Sequence, residues 1–360
     1  MKMNRIKLVL VSPLPPPHGG MQTWTQDFID YFSGSQLLDV RLVNQGLVGK
    51  RAASRIGKKN IFAELARSCK ILHALKREIK KGGDIVHINS PCSRTGIIRD
   101  FLCIKLAHRR GLPVIFHCHC NVEKQIGKSR MGLSYLKKAV SLSDTVLVLN
   151  QSSRAYLKQN CGIDSKIVYN FISDKTISAD KETGKTLLCA VFVGNVIAKK
   201  GICELLRTAA AFPEITFLIV GKKDPDVFED EASDNVQFTG PVSRERVREY
   251  LDSADLFVFP TYTEGFSVAL AEAMARGLPV ITTDVGANRE MIGKGGGIIV
   301  DVGDTDGLIA AVEALKDPGV RRGMTEYNLK RVWDFSTDKI MREYLHIYDD
   351  VLGEDYHLKS

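Results

Sequence analysis

The fold class of the chain is decided by the stretch LFVFPTYTEGFSVALAEAMARGLPVITTD, residues 256–284. Its first residues are apolar and end in a proline, which predicts a buried strand at 256–260. A short loop follows, and a helix is predicted at 267–275. Another apolar run predicts a second strand at 280–283. A strand, a helix and a strand in this order form a βαβ unit, and such a unit implies a parallel sheet.

The same alternation extends outward through the whole chain. Further strands are predicted at 6–11, 84–88, 113–117, 144–149, 187–194, 215–221 and 236–239. Helices between them are predicted at 22–32, 61–81, 97–110, 130–142, 201–211, 243–251 and 306–315. The pattern indicates two doubly wound, Rossmann-like α/β domains, residues 1–172 and 173–336. We expect a last helix, about 337–352, to pack back on the first domain.

Composition narrows the class of protein. The chain has 360 residues. A chain of this length is longer than a single hydrophobic core usually supports, so two domains are favoured. A content of 44% apolar and 26% charged residues is typical of globular proteins. No apolar run approaches the roughly 18 residues that a membrane-spanning helix needs. Eight cysteines without export features indicate reduced thiols, so we expect a cytoplasmic protein.

Charge is distributed unevenly along the chain. Residues 1–175 hold 29 Lys and Arg against 11 Asp and Glu, whereas residues 176–360 hold 21 against 31. Basic residues are dense around the predicted helix 61–81, whose apolar face includes Leu65 and Cys69. This asymmetry favours an anionic partner for the first half, although a solvated basic surface is the alternative. The candidate contacts for an acceptor or a membrane are Lys58, Lys59, Lys76 and Lys80.

The segment 263–284 also carries the strongest chemical signal. A helix that begins near Ser267 directs the free N–H groups of Ser267 and Val268 toward an anion. Two carboxylates, Glu264 and Glu272, lie eight residues apart, one before the helix and one inside it. A glutamate at a helix start is favoured by the helix dipole alone, but that explanation does not cover Glu272.

This E-x7-E pair, in an EGF…EAMARGLPV setting, resembles the retaining nucleotide-sugar glycosyltransferases of family 4. The resemblance runs from about residue 8 to residue 350 and implies the GT-B fold, two Rossmann-like domains that face each other across a cleft. It implies that Glu264 contacts hydroxyls of the donor sugar and that Glu272 holds the ribose. The donor diphosphate would be bound by N–H groups of Phe266, Ser267 and Val268.

A second motif, VFVGNVIAKKG at 191–201, is similar to the family's VGR-x4-KG element. The resemblance implies that Lys200 neutralises the leaving diphosphate. Asn195 stands where the family usually has arginine, so Lys200 and the helix termini would carry more of this role. Lys199 is the neighbouring cation, and its position directs it elsewhere.

Two motifs of the first half complete the candidate site. PPPHGGMQTW at 15–24 matches the family's amino-terminal GG loop, in which Gly20 would face the donor phosphate; a simple tight turn is the alternative. In HCHC at 117–120, alternation places the two histidines on one face and the two cysteines on the other. His119 matches the family's cleft histidine beside the donor sugar, and His117 is the fallback assignment.

We expect no metal or other cofactor. The histidine pair lacks a visible third ligand, and the resemblance implies a metal-independent reaction. Two Asp-x-Asp triplets, at 224–226 and 304–306, are interpreted as surface turns.

The resemblance implies a hexosyltransferase that moves a sugar from a nucleotide-sugar donor to a glycan or polyprenyl-diphosphate-linked acceptor. A UDP-sugar is the favoured donor. Bacterial surface polysaccharide or lipopolysaccharide biosynthesis at the inner face of the membrane is the expected setting, with peripheral contact to anionic lipid. One alternative is a GT-B-like UDP-sugar epimerase. The other is a basic, non-enzymatic nucleic-acid-binding protein, which we disfavour because no recognition motif is present, so no nucleic-acid partner is expected.

Overall fold

A computed structural model describes residues 5–16, 19–46, 61–224 and 232–353. The chain divides into two compact units. The first comprises Met1–Tyr169 with Met341–Ser360, and the second comprises Asn170–Ile340.

The first unit is built on a sheet whose strands are separated along the chain by helices. Its strands are β1 (Ile6–Ser12), β2 (Leu38–Asn44), β3 (Ile85–Ser90), β4 (Val114–Cys118), β5 (Thr145–Val148) and β6 (Lys166–Ile167). Its helices are α1 (Gly20–Phe32), α2 (Ile61–Lys80), α3 (Gly96–His108), α4 (Val122–Ile126), α5 (Arg130–Val140) and α6 (Gln151–Cys161).

All strands of this sheet are parallel, in the order β2-β1-β3-β4-β5-β6. The order reverses at β1, because β2 lies on one side of it and β3 on the other. Every residue of β3 and β4 is buried, as expected of strands covered by helices on both faces. The carboxyl ends of β1 and β3 therefore flank a topological switch point, where sheets of this kind bind ligands.

The second unit repeats this plan. Its strands are β7 (Cys189–Val193), β8 (Thr216–Val220), β9 (Val236–Gly240), β10 (Leu256–Phe259), β11 (Val280–Thr283) and β12 (Gly297–Val300). Its helices are α7 (Ile202–Ala210), α8 (Arg244–Ser253), α9 (Val268–Ala275), α10 (Asn288–Ile292), α11 (Thr305–Ala314) and α12 (Pro318–Arg331), and they are followed by α13 (Thr337–Leu352). The strands are parallel, in the order β12-β11-β10-β7-β8-β9. Here the switch point lies between β7 and β10.

From Met341 onward, α13 belongs to the first unit, where it supplies two fully buried tyrosines. The Tyr344 ring lies 5.6 Å from Trp24 and 5.7 Å from Phe28, both on α1. The Tyr348 hydroxyl lies 2.8 Å from Nδ1 of His87 on β3. One face of the first sheet is therefore closed by aromatic rings from two distant parts of the chain.

The amphipathic pattern expected for α2 is only partly confirmed. Its buried apolar residues include Ile71, Leu75 and Ile79, whereas Leu65 is 58% exposed and Cys69 is exposed. Leu65 and Cys69 belong to the apolar face that the sequence predicted, yet they stay exposed, because the buried apolar residues of the helix lie in its second half.

Candidate active site

The centre of the candidate site is an ion pair at the switch point of the second unit. Lys200 ends a short 3-10 turn after β7, and Glu264 lies in the loop after β10. The Lys200 ammonium donates to Oε1 of Glu264, and the side chains are 20% and 13% exposed. Lys200 Nζ also lies 5.3 Å from the ring centroid of Phe259. Two residues predicted from separate motifs are thus in direct contact.

Burial dominates the electrostatics of this pair. Loss of solvent raises the pKa of Glu264, and the nearby Lys200 ammonium offsets only part of that effect. The carboxylate therefore depends on its cation. An anionic ligand that drew Lys200 away would leave Glu264 able to bind a proton or to accept a hydrogen bond from a hydroxyl group.

Two glycines allow the loops around the pair to approach each other. Gly201 has a φ of +76°, and a Cβ on it would lie 2.1 Å from the carbonyl oxygen of Pro260. Gly286, after β11, has a φ of +59°, and its Cβ would lie 2.4 Å from the carbonyl oxygen of Glu264. Only glycine fits either position without moving the Lys200 turn or the Glu264 loop.

Hydrogen bonds from the neighbouring strand fix the Glu264 loop. The buried hydroxyls of Thr282 and Thr283 donate to the carbonyl oxygens of Phe259 and Thr261, the former at 2.8 Å. The N–H of Ala287 donates to Gly265 O at 3.0 Å. Our sequence interpretation missed these contacts; the polar pair at the end of an otherwise apolar strand was the available signal.

Helix α9 begins where the sequence predicted a helix start, next to Ser267. Ser267 is the N-cap, its hydroxyl accepting from Leu270 N at 3.2 Å, and the helix begins at Val268. Phe266 is buried, with its ring edge-to-face on Phe335 at 5.4 Å. First-turn N–H groups of a helix have no intrahelical partner, so this end attracts negative charge. Glu272 lies on the same helix and is half-buried.

Asn195, the departure from the family pattern, is exposed. Its carbonyl oxygen accepts from Ile197 N–H at 3.0 Å, which closes a tight turn after β7. Lys199 is also exposed, and its carbonyl oxygen accepts from Tyr262 N–H at 3.0 Å. Of the two adjacent lysines, Lys200 is the one whose ammonium meets the loop carboxylate.

In the first unit, Gly20 is the first residue of α1, and a Cβ on it would meet no atom within 4 Å. His119 follows β4, is half-buried, and donates its backbone N–H to Ser90 O at 2.8 Å. Its ring lies 3.9 Å from that of His117, which is fully buried and has its pKa held well below the ordinary value by burial. His119 is the more exposed residue of the two, but both of its ring nitrogens are buried, as is Nε2 of His117, so His119 keeps its place as the predicted ligand-facing histidine and His117 remains the alternative.

The alternation predicted for HCHC is present. His117 and His119 lie with Trp24 on one face, whereas the thiols of Cys118 and Cys120 interact with Cys92 on the other. Within the described ranges, no three His, Cys, Asp or Glu side chains are grouped so as to hold a metal ion.

The two Asp-x-Asp triplets have different outcomes. Asp304 caps α11, its carboxylate accepting from Gly307 N at 2.9 Å, which is the role of a helix-start aspartate. Of the triplet at 224–226, residues 225 and 226 lie outside the described residues.

The basic surface is described in part. Lys76 and Lys80 are exposed on α2, whereas Lys58 and Lys59 lie outside the described residues. Among the helices that the structure describes, none is both long enough and apolar enough to cross a bilayer.

Comparisons with known proteins identify the family of the chain. A family model described as "Glycosyltransferase Family 4" matches residues 18–175, and one described as "Glycosyl transferases group 1" matches residues 188–317. The chain is 39% identical over 320 residues to the N-acetyl-alpha-D-glucosaminyl L-malate synthase of Bacillus anthracis, covering 81% of this chain and 80% of that protein. It is 30% identical over 203 residues to the phosphatidyl-myo-inositol mannosyltransferase of Mycolicibacterium smegmatis. This match covers 53% of this chain and 51% of that relative, so the chain spans about half of its length.

Solved structures show the same architecture. Sucrose-phosphate synthase of Thermosynechococcus elongatus superposes with a TM-score of 0.76 at 19% identity, covering 96% of this chain and 98% of that one. The lipopolysaccharide outer core galactosyltransferase WaaB gives 0.72 at 18%, covering 94% and 98%. Anabaena HepE in complex with UDP and glucose gives 0.70 at 14%, covering 96% and 99%.

Two doubly wound α/β units with these structural neighbours define the GT-B fold, as predicted. The chain belongs to glycosyltransferase family 4 and is a glycosyltransferase. A non-enzymatic basic protein is therefore set aside.

Proposed function

We propose that the protein transfers a sugar from a nucleotide-diphosphate donor to a glycan or lipid-linked acceptor. The favoured donor is a UDP-sugar, and the configuration at the anomeric carbon is retained. Surface polysaccharide assembly is the proposed setting. Support comes from the relatives, since one structural neighbour is a lipopolysaccharide galactosyltransferase and another binds UDP and glucose.

The observation that carries the proposal is the contact between Lys200 and Glu264 at the switch point of the second unit. A partly buried cation there matches a diphosphate, and a partly buried carboxylate beside it matches sugar hydroxyls. Donor binding would then exchange one ion pair for another. Lys200 would move to the diphosphate, and Glu264 would accept a hydrogen bond from a hydroxyl group of the sugar.

The chemistry follows from this placement. The bond between the anomeric carbon and the diphosphate oxygen breaks, and negative charge grows on the leaving diphosphate. Lys200 and the N–H groups at the start of α9, at Ser267 and Val268, would stabilise that charge. The acceptor oxygen bonds to the anomeric carbon on the face that the leaving group vacates, and its proton passes to the diphosphate.

The remaining predicted residues have supporting roles in this scheme. Glu272 would hold the ribose, and His119 and Gly20 of the first unit keep the donor-binding roles that the family resemblance implies. The proposed reaction needs no metal, because its leaving-group charge is met by Lys200 and by backbone dipoles. The exposed lysines of α2, Lys76 and Lys80, would contact an anionic membrane surface.

The test separates nucleotide binding from sugar recognition. Calorimetric titration of UDP should give a weaker affinity for Glu272→Ala, whereas Glu264→Ala should mainly lose discrimination among UDP-sugars and turnover. If both variants bind and react like the parent chain, the assignment of this loop is wrong.

Product analysis decides the reaction type. The anomeric configuration of the product, followed by NMR, should match that of the donor. Release of an epimerised sugar without any acceptor would identify the epimerase alternative instead.

A further inference from the structure

A polar cluster in the first unit occupies the switch point of its sheet. Ser12 ends β1, Asn89 is the penultimate residue of β3, and these two strands are neighbours. In the second unit, the equivalent position between β7 and β10 holds the ion pair of Lys200 and Glu264. The first unit therefore has a second position at which a sheet of this topology binds a ligand.

The hydrogen bonds of the cluster fix the orientation of the Asn89 amide. The Thr25 hydroxyl donates to the carbonyl oxygen of Met21 at 2.8 Å. Thr25 Oγ1 must therefore accept the bond that it shares with Ser12, which uses the single proton of Ser12. Ser12 Oγ in turn accepts from Nδ2 of Asn89 at 2.9 Å. The Asn89 side-chain oxygen, Oδ1, is thereby directed away from this chain of bonds.

A second amide is fixed by the same logic. Gln45 follows β2, and its backbone N–H donates to Ser12 O at 3.1 Å. Its side-chain Nε2 donates to the backbone carbonyl oxygen of Asn89, which can only accept. The oxygen of this amide, Oε1, therefore lies on the other side of the Gln45 side chain.

Both amide oxygens are left as buried acceptors. Asn89 is 0% exposed and Gln45 is 4% exposed, and among the described residues neither Oδ1 nor Oε1 has a hydrogen-bond partner. Buried acceptors are nearly always satisfied in folded proteins, so these two point to a donor from outside the chain.

The cluster has the character of a hydroxyl-binding site. Ser12, Thr25, Gln45 and Asn89 carry no charge, and the nearby imidazole of His87 stays neutral because burial lowers its pKa to about 3. Amide oxygens repel a phosphate or a carboxylate and attract the O–H groups of a sugar or polyol.

We propose that Gln45 and Asn89 bind hydroxyl groups of the acceptor substrate and select a sugar or polyol at this point over a phosphate or carboxylate group. This inference rests on the proposed function, because it assigns the acceptor to the first unit. The competing explanation is a structural water that bridges the two oxygens.

The experiment uses the full chain with UDP present and follows binding of myo-inositol and methyl α-glucoside by ligand-observed saturation-transfer NMR. Asn89→Leu and Gln45→Met should each weaken polyol binding at least tenfold and leave UDP affinity unchanged. The control is Thr25→Val, which alters the network but keeps both oxygens and should bind the polyols normally.

Folding is controlled by Asn89→Asp, which keeps an acceptor oxygen at this position. Polyol binding by Asn89→Asp supports the proposal, because a purely structural role for the amide would be lost with it. Unchanged polyol binding in Asn89→Leu and Gln45→Met, competition by inorganic phosphate, or no polyol binding by the parent chain would overturn it. Absence of UDP binding would instead count against the proposed function, whatever the polyols do.

Discussion

Replacing Lys200 with alanine should slow sugar transfer far more than it weakens donor binding. The Lys200 ammonium is 20% exposed and pairs with Glu264, so it lies in a partly desolvated place where a charge interacts strongly. Charge on the diphosphate grows as the glycosidic bond breaks, and an interaction with that charge therefore strengthens in the transition state.

The magnitude follows from comparable losses of a single donor to a developing oxyanion. We expect kcat to fall by about 10²–10³-fold, which corresponds to about 2.7–4 kcal/mol of barrier. UDP affinity should fall by less than about tenfold, or about 1.4 kcal/mol. Part of the ground-state loss is indirect, because without Lys200 the buried Glu264 carboxylate loses its partner and its pKa rises further.

The assay measures release of UDP at saturating donor, and UDP affinity by calorimetry. Lys199→Ala is the matched control, because Lys199 is adjacent and exposed, and the substitution keeps the backbone carbonyl oxygen that accepts from Tyr262 N–H. Near-normal turnover of Lys200→Ala, or an equal loss in Lys199→Ala, would show that another cation holds the leaving group and would refute the reasoning.

Four further outcomes are expected. Gly286 has a φ of +59°, and a Cβ on it would lie 2.4 Å from Glu264 O, so Gly286→Ala should lower the free energy of unfolding by at least about 1–2 kcal/mol. In Gly323→Ala the new Cβ would meet no atom within 4 Å, and this variant should raise the free energy of unfolding by about 0.5–1 kcal/mol. Equal melting temperatures of the two variants would contradict this. Burial raises the pKa of Glu264, so its contribution to stability is present below its ordinary pKa and is lost as pH rises through the folded value. Glu264→Gln should therefore raise Tm relative to the parent more at about pH 8 than at about pH 4, and the reverse order would exclude a raised pKa. Lys76→Glu with Lys80→Glu should weaken sedimentation with phosphatidylserine vesicles, increasingly masked by salt, and equal binding to neutral vesicles would argue against a charged contact. Transfer should survive EDTA, and a loss that Mn²⁺ restores would reverse the expectation of a metal-free reaction.

The βαβ unit that decided the fold class was predicted almost to the residue. Strands expected at 256–260 and 280–283 occur at Leu256–Phe259 and Val280–Thr283, with α9 between them. These strands are buried on both faces, so their sequences are continuous apolar runs that are easy to recognise.

Elements at the edges were missed for a physical reason. β2 lies at the edge of its sheet, only Leu38 and Val43 are buried in it, and Asp39 pairs with Arg41 in its middle. Such a strand carries little apolar signal. Helix α12 was also missed, since it contains many polar residues and two glycines, and its Asp317 cap followed by proline was the usable signal.

The site was predictable residue by residue but not as an arrangement. The sequence showed that Lys200 and Glu264 each follow a strand, and this made both of them candidates because loops at the carboxyl ends of strands bind ligands. It could not show that β7 and β10 are neighbours, and that pairing brings the two side chains together. Gly286 and the acceptor oxygens of Gln45 and Asn89 were invisible for the same reason, since their meaning depends on contacts across the chain.

The aromatic closure of the first unit has a consequence for synthesis on the ribosome. Trp24, His87 and His117 emerge early, but Tyr344 and Tyr348, which cover them, are made more than two hundred residues later. The second unit is continuous in sequence, so it can complete its core while the first still exposes an aromatic and histidine-lined face. The nascent chain therefore has a long interval in which this face lacks its cover, and the synthesis of α13 ends that interval.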